Sequence, residues 1–590
     1  MLENKGIKRP PIGMSDFRMV RNNNKYYVDK TMYIPQLEKI SNFLFLIRPR
    51  RFGKSIFLSM IADYYDCENK ELDQEFEGTW ISEHPQPLKG QFQILQYDFS
   101  QVLGQTNHLE DDFNTYCCGQ LDMFIQKYGK YYSAETVKWA LEAKKSKDKI
   151  NLLSAEAKER GYHLYLIIDE YDNFTNTVLN EQGEDVYHNM THSSGFYRSA
   201  FKIFKPNFER ILFMGVSPIT LNDLTSGFNI ATNISLHPAF NMMLGFSEED
   251  VREMIVYYQS VGLIQPSKDD KGNTIDGKAR VDEIIADMKP WYDNYCFAIN
   301  RYGQVTMYNS VMVLYFIDQY IHNNCDIPRD MIEDNIRVDY NKLRMLIRHD
   351  KEFAHDASII QHLVTDGFVT GNLKRGFPAE SINNPDNFVS LLFYFGMLTI
   401  DGTYRGKTKF VIPNEVVREQ IYAYLLSTYK ENELAYDTYQ KSDLESGFAY
   451  DGDYKSYFGF IADAIKRFSS QRDRQKGESY VHGFTLAMTC QNMFYRPISE
   501  LDNQAGYADI FLRPLLENYP DMEHSYIVEL KYCKSDATDE QVAKLREAAI
   551  AQVNRYADSD VVKSEVKTTR LHKIVVIFRS VDMVVCEEIE

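Results

Sequence analysis

Short apolar, aromatic-rich runs alternate with longer stretches of helical periodicity through the first half of the chain. Runs of that length between polar segments are typical of buried parallel strands, because helices cover both faces of such a sheet. The alternation therefore predicts an α/β sandwich. Its predicted strands are residues 42–47, 92–97, 163–168 and 210–216.

The periodicity becomes helical after about residue 246. The segment SEEDVREMIVYYQ begins with a serine followed by acidic residues, which predicts a capped helix start, and a second helix is predicted toward Trp291. We interpret the two as a helical lid or connector.

Between residues 387 and 425, the order helix, strand, turn, strand, helix is typical of a winged-helix unit. Such units contact DNA or act as spacers, and the missing basic recognition helix favours the spacer.

A helix, three strands, a helix and a strand follow one another after residue 477, which predicts a second α/β domain. A chain of 590 residues also exceeds what one hydrophobic core usually organises. We therefore expect a multidomain protein.

Composition narrows the class of protein. No apolar run approaches membrane-spanning length and no apolar signal segment follows Met1, so the chain is expected in the cytoplasm and away from membranes. The eight cysteines are scattered without zinc-binding spacing, and neither a disulfide framework nor a zinc site is expected. A net charge of −18 argues against nonspecific coating of nucleic acid, since phosphate contacts require clustered lysine and arginine. Any nucleic-acid site must be local.

The segment RPRRFGKS joins a predicted strand to a helix, which is the context of a phosphate-binding loop. Its backbone N–H groups would cradle phosphates, Lys54 would reach the β- and γ-oxygens, and Ser55 would bind Mg²⁺. Arg48 stands where such loops have their first glycine and lacks that residue's conformational freedom. The arginines either add positive charge beside the triphosphate, which we favour, or form a solvated loop. The candidate ATP ligands here are Arg48, Pro49, Arg50, Arg51, Phe52, Gly53, Lys54 and Ser55.

A second apolar strand, in HLYLIIDEYD, delivers Asp169 and Glu170 at its carboxyl end, where open α/β sheets place their ligands. Asp169 would hold the water shell of the metal, and Glu170 would act as general base for the attacking water. For either carboxylate taken alone, the competing interpretation is an ordinary acidic residue at the end of a strand. Ser217 is a candidate γ-phosphate sensor or, equally, a turn residue. Arg198 is a candidate phosphate contact, although a structural surface arginine is the favoured reading.

Charged residues also interrupt the apolar strands of the C-terminal domain. Glu529 and Lys531 are two apart on one strand, so they share a face, and a neighbouring strand can bring Asp509 beside them. Asp509 and Glu529 would bind Mg²⁺ or Mn²⁺ while Lys531 orients water, and Glu478 could complete the metal shell. Solvated surface charges are the competing interpretation, but buried charges are costly unless they bind metal or pair.

Two further features flank these carboxylates. Gln552 and Tyr556 lie at i and i+4 and share a helix face that we expect near the site. A basic segment precedes Glu478 and would follow a phosphate backbone, or would be a solvated helix face. Its members are Lys466, Arg467, Arg472, Arg474 and Lys476.

Together these motifs resemble those of bacterial AAA-ATPase-like proteins with a C-terminal PD-(D/E)XK nuclease-superfamily domain. The segments that carry the resemblance are PIGMSDF, YYVDKT, RPRRFGKS, IIDEYD, GVSPIT with TSGFN, WYDNY, and HGF, YADI, VELKY and QVNRY. It implies that an arginine-rich phosphate loop is a family trait. It also implies roles near the nucleotide for Asp29, Lys30 and Thr31 and in the lid for residues 291–295, although a structural core role is the default. Asn294 replaces a glycine common in relatives and tolerates left-handed backbone.

The expected architecture is a P-loop ATPase core of the ASCE/AAA type, a helical lid, a winged-helix-like connector and a restriction-endonuclease-like α/β domain. The expected boundaries are 1–240, 241–330, 331–440 and 441–590. The implied function is ATP-dependent or ATP-regulated cleavage of nucleic acid, DNA rather than RNA, with ATP and Mg²⁺ as cofactors, in defence against or processing of foreign DNA. The alternatives are an ATP-driven switch whose nuclease-like domain only binds, and a DNA-remodelling ATPase with a vestigial nuclease site. Assembly into dimers or rings is left open.

Overall fold

The structure is a computed structural model that divides the chain into two compact units. The first comprises Met1–Asn335 with Thr370–Glu415, and the second Ile336–Val369 with Val416–Glu590. The residues described are 6–69, 73–104, 107–192, 194–219, 231–266, 277–328, 330–333, 359–382, 384–430, 438–468, 477–498, 510–516 and 518–590.

A parallel five-stranded sheet organises the first unit, in the order β2-β3-β4-β1-β5. Its strands are β1 (Phe43–Ile47), β2 (Phe92–Asp98), β3 (His163–Asp169), β4 (Arg210–Gly215) and β5 (Thr232–Asn233). The four predicted strands are confirmed to within one residue at each end. The two-residue β5 is too short to give a periodicity signal. Because all the strands run in one direction, β1, β3 and β4 end at the same edge, with β4 between the other two.

Helices of the first unit follow the strands as the periodicity predicts. They are α1 (Phe17–Asn22), α2 (Ile34–Ile40), α3 (Lys54–Tyr65), α4 (Asp73–Phe76), α5 (Trp80–Glu83), α6 (Leu109–Tyr128), α7 (Ala134–Glu142), α8 (Ser146–Arg160), α9 (Asn173–Gln182), α10 (Glu184–Thr191), α11 (Phe196–Asn207), α12 (Glu248–Ser260), α13 (Gly277–Tyr292) and α14 (Ser310–His322). The predicted capped start of α12 is confirmed, since Ser247 and Asp250 form a capping box.

The element order of the winged-helix-like segment is also observed. It runs α16 (Pro385–Tyr394), β7 (Thr399–Tyr404), β8 (Lys407–Val411) and α17 (Glu415–Lys430), preceded by α15 (Ile359–Thr365) and β6 (Phe368–Gly371). The strands β7 and β8 are longer than predicted, because the chain reverses within two residues, Arg405 and Gly406, both at positive φ. The residues DGTY, predicted as part of the turn, therefore belong to β7.

A mixed five-stranded sheet organises the second unit, in the order β13-β12-β11-β10-β9, with β11 and β12 parallel and the other pairs antiparallel. Its strands are β9 (Tyr495–Ile498), β10 (Ile510–Pro514), β11 (His524–Cys533), β12 (Arg570–Arg579) and β13 (Asp582–Ile589). Its helices are α18 (Thr438–Tyr450), α19 (Tyr454–Phe468), α20 (Glu478–Thr489), α21 (Asp539–Ala557) and α22 (Asp560–Val566). The predicted order is confirmed as far as β12, whereas α22 and β13 were not predicted.

One hydrophobic cluster of the second unit lies between α21 and one face of the sheet. Ile527 and Val575 pack with Val553 and Tyr556 of the helix, all buried. Alternate residues of β11 share that face, so it is also the face on which Glu529 lies. Among the described residues, none of the helices is both long and apolar enough to cross a membrane.

Substituting Gly215→Ala tests the packing at the end of β4. A Cβ atom there would lie 2.2 Å from Asp172 Oδ1 and 2.5 Å from Tyr171 Cε1, both buried, so we expect a loss of about 3 kcal/mol. The matched control is Gly119→Ala in α6, where nothing lies within 4 Å and alanine favours the helix by about 0.5–1 kcal/mol. Thermal unfolding of both variants should show opposite shifts, and equal stability would contradict this packing.

Candidate functional site

The first candidate site lies at the carboxyl edge of the parallel sheet, where the loop after β1 meets the end of β3. Ser55 Oγ donates a hydrogen bond to Asp169 Oδ2 at 2.5 Å. Lys54 is 5% exposed, and its ammonium lies 3.8 Å from Glu170 Oε1. The fold thus brings together the four side chains that are predicted to have metal, phosphate and base roles.

The loop contains two left-handed residues of the kind found in anion-binding nests. Arg51 has φ +66° and Gly53 has φ +83°, and α3 begins directly after Gly53. Left-handed residues alternating with right-handed ones turn successive N–H groups toward one side, and a helix N-terminus adds its partial positive charge. Glycine's freedom is used at Gly53, while Arg51 reaches the left-handed region without it.

Electrostatics at the end of β3 favour a bound cation. Burial, and then the neighbouring Glu170 carboxylate, raise the pKa of Asp169 to about 6, although Ser55 and Lys54 oppose the shift. Glu170 itself has φ +48°, and its N–H donates to Asp169 Oδ1 at 2.9 Å. A left-handed glutamate is a strained conformation of the kind that functional sites retain.

Asp172 belongs to the site and was not singled out in the sequence. Its buried carboxylate accepts the N–H groups of Val216 at 3.1 Å and Ser217 at 2.6 Å, and Tyr171 Oη donates to Ser217 O at 2.8 Å. Burial and the charge of Glu170 raise the pKa of Asp172 to about 6. The available signal was a second aspartate three residues after Asp169, beyond the strand end.

Ser217 itself is fully buried, and its hydroxyl accepts the N–H of Ile219 at 3.3 Å. That bond two residues along the chain is the mark of a serine turn, so the contacts favour the turn interpretation over the sensor one. Arg198 lies half-buried in the first turn of α11, and its phosphate role stays a prediction.

The arginines of the loop have different environments, which the sequence did not predict. Arg48 is 1% exposed and donates to backbone carbonyls, so its charge does not lie in the phosphate cradle. Arg51 Nη1 forms an ion pair with Glu333 Oε2 at 3.0 Å. Arg50 is half-buried and stays the candidate for direct phosphate contact. The expectation that all three crowd charge beside the triphosphate is corrected for Arg48, because its side chain turns into the core.

The WYDNY segment supports the loop through aromatic packing. Tyr295 and Phe297 contact the ring of Phe52 edge-on, with centroids 4.9 and 5.4 Å away. Asn294 has φ +80°, which is the left-handed backbone that the sequence predicts it to tolerate. Asp293 is buried and accepts a hydrogen bond from Thr306 Oγ1 at 3.0 Å. The segment therefore supports the phosphate loop, a role that the sequence alone does not predict.

Asp29, Lys30 and Thr31 have structural contacts. Asp29 Oδ2 accepts the N–H of Trp80 at 2.6 Å, and Lys30 Nζ forms an ion pair with Asp250 Oδ2 at 2.7 Å. Thr31 Oγ1 accepts the N–H of Ile81 at 3.1 Å. These bonds favour the core role over a nucleotide contact.

The second candidate site lies on β11. Glu529 is 1% exposed, and Lys531 Nζ lies 2.7 Å from its Oε1, as expected for residues two apart on a strand. Ile510, the first described residue of β10, pairs with Val528, the residue before Glu529. Asp509, the second predicted metal ligand, lies outside the described residues.

The other three candidate residues of this site lie on the helices α20 and α21. Glu478 is the first residue of α20, and the Gly477 before it, at φ +57°, lies against Tyr532 of β11. The backbone of Glu478 is described but its side chain is not. Gln552 is half-buried and Tyr556 buried on α21, which packs on the face of β11 that carries Glu529.

Of the basic segment, Lys466 is exposed and pairs with Asp582 at 2.7 Å, and Arg467 is exposed near the end of α19. Arg472, Arg474 and Lys476 lie outside the described residues.

Both sites fit the groups predicted to bind them. A serine hydroxyl beside a carboxylate whose charge is disfavoured by burial suits Mg²⁺ with a nucleotide, and a carboxylate buried in an apolar strand suits a divalent cation. Within the ranges that the structure describes, no three His, Cys, Asp or Glu side chains converge on one point.

Two family models match the chain. Residues 11–225 match the AAA-ATPase-like family, described as a predicted AAA-ATPase, and residues 476–588 match the PD-(D/E)XK nuclease superfamily. The chain therefore contains an AAA-ATPase-like domain in its N-terminal part and a PD-(D/E)XK nuclease-superfamily domain in its C-terminal part. The ATPase-like domain contains the phosphate loop and the end of β3, and the nuclease-superfamily domain contains Glu529 and Lys531, which confirms the predicted resemblance.

A similar curated protein is an uncharacterized protein in the vnfD 5′ region of Azotobacter chroococcum mcd 1. It is 25% identical over 255 residues, which are 41% of this chain and 44% of that protein. The match thus spans less than half of the relative's length.

Replacing Asp169 by asparagine should stabilise the nucleotide-free protein at neutral pH. The folded pKa of about 6 lies above the ordinary aspartate value of 3.8, so the charged carboxylate opposes folding above pH 6, and that penalty vanishes as pH falls toward 4. Asparagine can keep bonds to both Ser55 and the Glu170 N–H. Calorimetry should show a gain of about 2 kcal/mol at pH 7.5 that shrinks by pH 5. A pH-independent gain would contradict the assigned burial cost.

Proposed function

We propose that the chain is an ATP-dependent or ATP-regulated, metal-dependent nuclease acting on DNA, in the defence against or processing of foreign or mobile DNA. The observation that carries the proposal is the convergence of Lys54, Ser55, Asp169 and Glu170 at one sheet edge, in a chain that also has the buried Glu529–Lys531 pair. A phosphate-binding site and a phosphodiester-cleaving site in one chain favour coupling of the two.

At the ATP site, the loop N–H groups and the Lys54 ammonium would bind the β- and γ-phosphates. Ser55 and Asp169 would hold Mg²⁺, which when bound offsets the negative charge of the phosphates. Glu170 would orient the attacking water and accept its proton. Lys54 would remain with the phosphates as negative charge shifts toward the leaving β-phosphate oxygen.

At the nuclease site, Glu529 and Asp509 would hold Mg²⁺ or Mn²⁺, which when bound acts as a Lewis acid on the phosphodiester. Lys531 would orient the attacking water and offset charge on the cleaved phosphate. Glu478, Gln552 and Tyr556 would position the ligands or the substrate. The local basic segment before Glu478 would supply phosphate contacts that an overall acidic chain otherwise lacks.

The organisation into residues 1–240, 241–330, 331–440 and 441–590 belongs to the same proposal. In it, α12 and α13 form the lid, and the hairpin β7–β8 with α16 and α17 forms a winged-helix spacer. A cytoplasmic protein with a homo-oligomeric ATPase is the form that this function would take.

Lys54→Ala should abolish ATP hydrolysis. The substitution removes the ammonium that reaches the phosphates, so kcat/KM should fall at least 1,000-fold, measured as phosphate release with Mg²⁺. Glu170→Gln should keep ATP affinity within about threefold and lose about 100-fold or more in kcat, as expected for a general base. The control is Lys39→Ala, an exposed lysine of α2. Unchanged hydrolysis by Lys54→Ala would refute the assigned site.

Glu529→Gln and Asp509→Ala should each abolish cleavage of linear, circular or single-stranded DNA with Mg²⁺ or Mn²⁺ and ATP. Loss of a carboxylate ligand removes the metal on which the chemistry depends, while Glu547→Gln, on an exposed position of α21, should cut like the wild type. Parallel RNA substrates test the choice of DNA. No scission by any protein, with DNA-stimulated ATP hydrolysis lost in Lys54→Ala, would favour the remodelling ATPase. No scission and no such stimulation would favour the switch.

A further inference from the structure

Arg48 occupies the first position of the phosphate loop, directly after β1, but its guanidinium is buried. Nη1 donates to Ile47 O at 3.0 Å and to Ser235 O at 2.6 Å, and Nη2 donates to Phe240 O at 2.9 Å. The guanidinium carbon lies 4.2 Å from the centre of the Phe297 ring, in a cation–π contact. Three backbone carbonyls and one aromatic ring thus contact the guanidinium of Arg48.

The other end of the loop depends on the same aromatic group. Phe52 is 1% exposed and contacts Phe297, and its carbonyl accepts the N–H of Gly245 at 2.9 Å. A Cβ atom on Gly245 would lie 2.8 Å from Cδ1 of Phe52. Phe297 therefore contacts both Arg48 and Phe52, and these two residues hold the two ends of the loop.

Arg48 also determines where the catalytic lysine lies. Lys54 Nζ donates to the carbonyl oxygens of Arg48 at 3.3 Å and of Pro49 at 3.1 Å. A shift of the Arg48 backbone would move these two acceptors and so displace the ammonium. The N–H of Arg48 in turn donates to Gly215 O at 3.1 Å, which ties the start of the loop to the end of β4.

We propose that Arg48 is a positioning residue for nucleotide binding, whose buried guanidinium holds the phosphate loop in its binding shape and does not touch the phosphates. The inference rests on the proposed ATP binding. It goes further by assigning the preorganisation of the loop to a buried arginine and an aromatic ring. Nucleotide affinity then depends on residues of the Ser235–Phe240 segment and on Phe297, outside the phosphate cradle.

The chemistry of arginine suits this task and that of lysine does not. The planar fork directs several N–H groups to fixed positions and stacks its face on a ring, whereas one ammonium cannot reach Ser235 O and Phe240 O while keeping that face contact. Burial lowers the pKa of Arg48 to about 9, so the group stays charged at neutral pH.

The test compares Arg48→Lys and Arg48→Met with wild type, using the full chain. Affinities for ATP and ADP should both fall at least tenfold and by the same factor, because a deformed loop loses the β-phosphate that the two nucleotides share. The value of kcat at saturating ATP should fall as well, because the displaced carbonyls of Arg48 and Pro49 no longer hold the Lys54 ammonium in place. Amides of residues 48–55 and 235–241 should exchange hydrogen at least tenfold faster in nucleotide-free protein. Arg160→Lys, an exposed arginine at the end of α8, is the control.

Loss of ATP affinity at least tenfold greater than loss of ADP affinity would identify Arg48 as a γ-phosphate ligand and overturn the proposal, as would an Arg48→Lys protein indistinguishable from wild type. If wild-type protein binds neither nucleotide, the proposed ATP function fails, while exchange in the nucleotide-free variants still decides whether Arg48 anchors the loop. Should the Arg48 variants not fold, Phe297→Leu should lower both affinities equally by about threefold to tenfold. An unequal loss, or none, would overturn the proposal.

Discussion

The carboxylate of Asp172 accepts the N–H groups of Val216 and Ser217, and these two hydrogen bonds fix the end of β4 against the turn after β3. Because β4 lies between β1 and β3, the same bonds help to set the distance across which Ser55 meets Asp169. Burying Asp172 is costly, and the backbone donors offset that cost. Gly215 has no side chain where this carboxylate and Tyr171 need the space.

The phosphate loop illustrates how tertiary contacts replace a local preference. The first position of the loop has no left-handed backbone that would require glycine, and the Arg48 side chain there is held by distant carbonyls and a ring. Phe52 is held by the same ring, and Arg51 reaches its left-handed conformation with an ion pair to Glu333. The shape of the loop therefore depends on the packing of Phe297, which lies two residues beyond the WYDNY segment.

In the nuclease-superfamily domain, one face of the sheet carries both the packing against α21 and the proposed metal ligand Glu529. Ile527 and Val575 of that face pack on α21, and Glu529, on the same face, has its charge balanced by Lys531. A buried carboxylate without such a partner would destabilise the strand, so the lysine stabilises the domain as well as the proposed reaction. The two roles require the same spacing of two residues along β11.

The sequence by itself determined the strands of the parallel sheet, the capped start of α12, and the pairing of Glu529 with Lys531, because each follows from local periodicity or spacing. It also placed Asp169 at a strand end, since an apolar run stops there. Only the tertiary structure decided that β4 lies between β1 and β3, that Asp172 joins two strand ends, and that Arg48 turns into the core. Those outcomes depend on partners 44 to 192 residues away, and no local pattern records which carbonyl a buried guanidinium will meet.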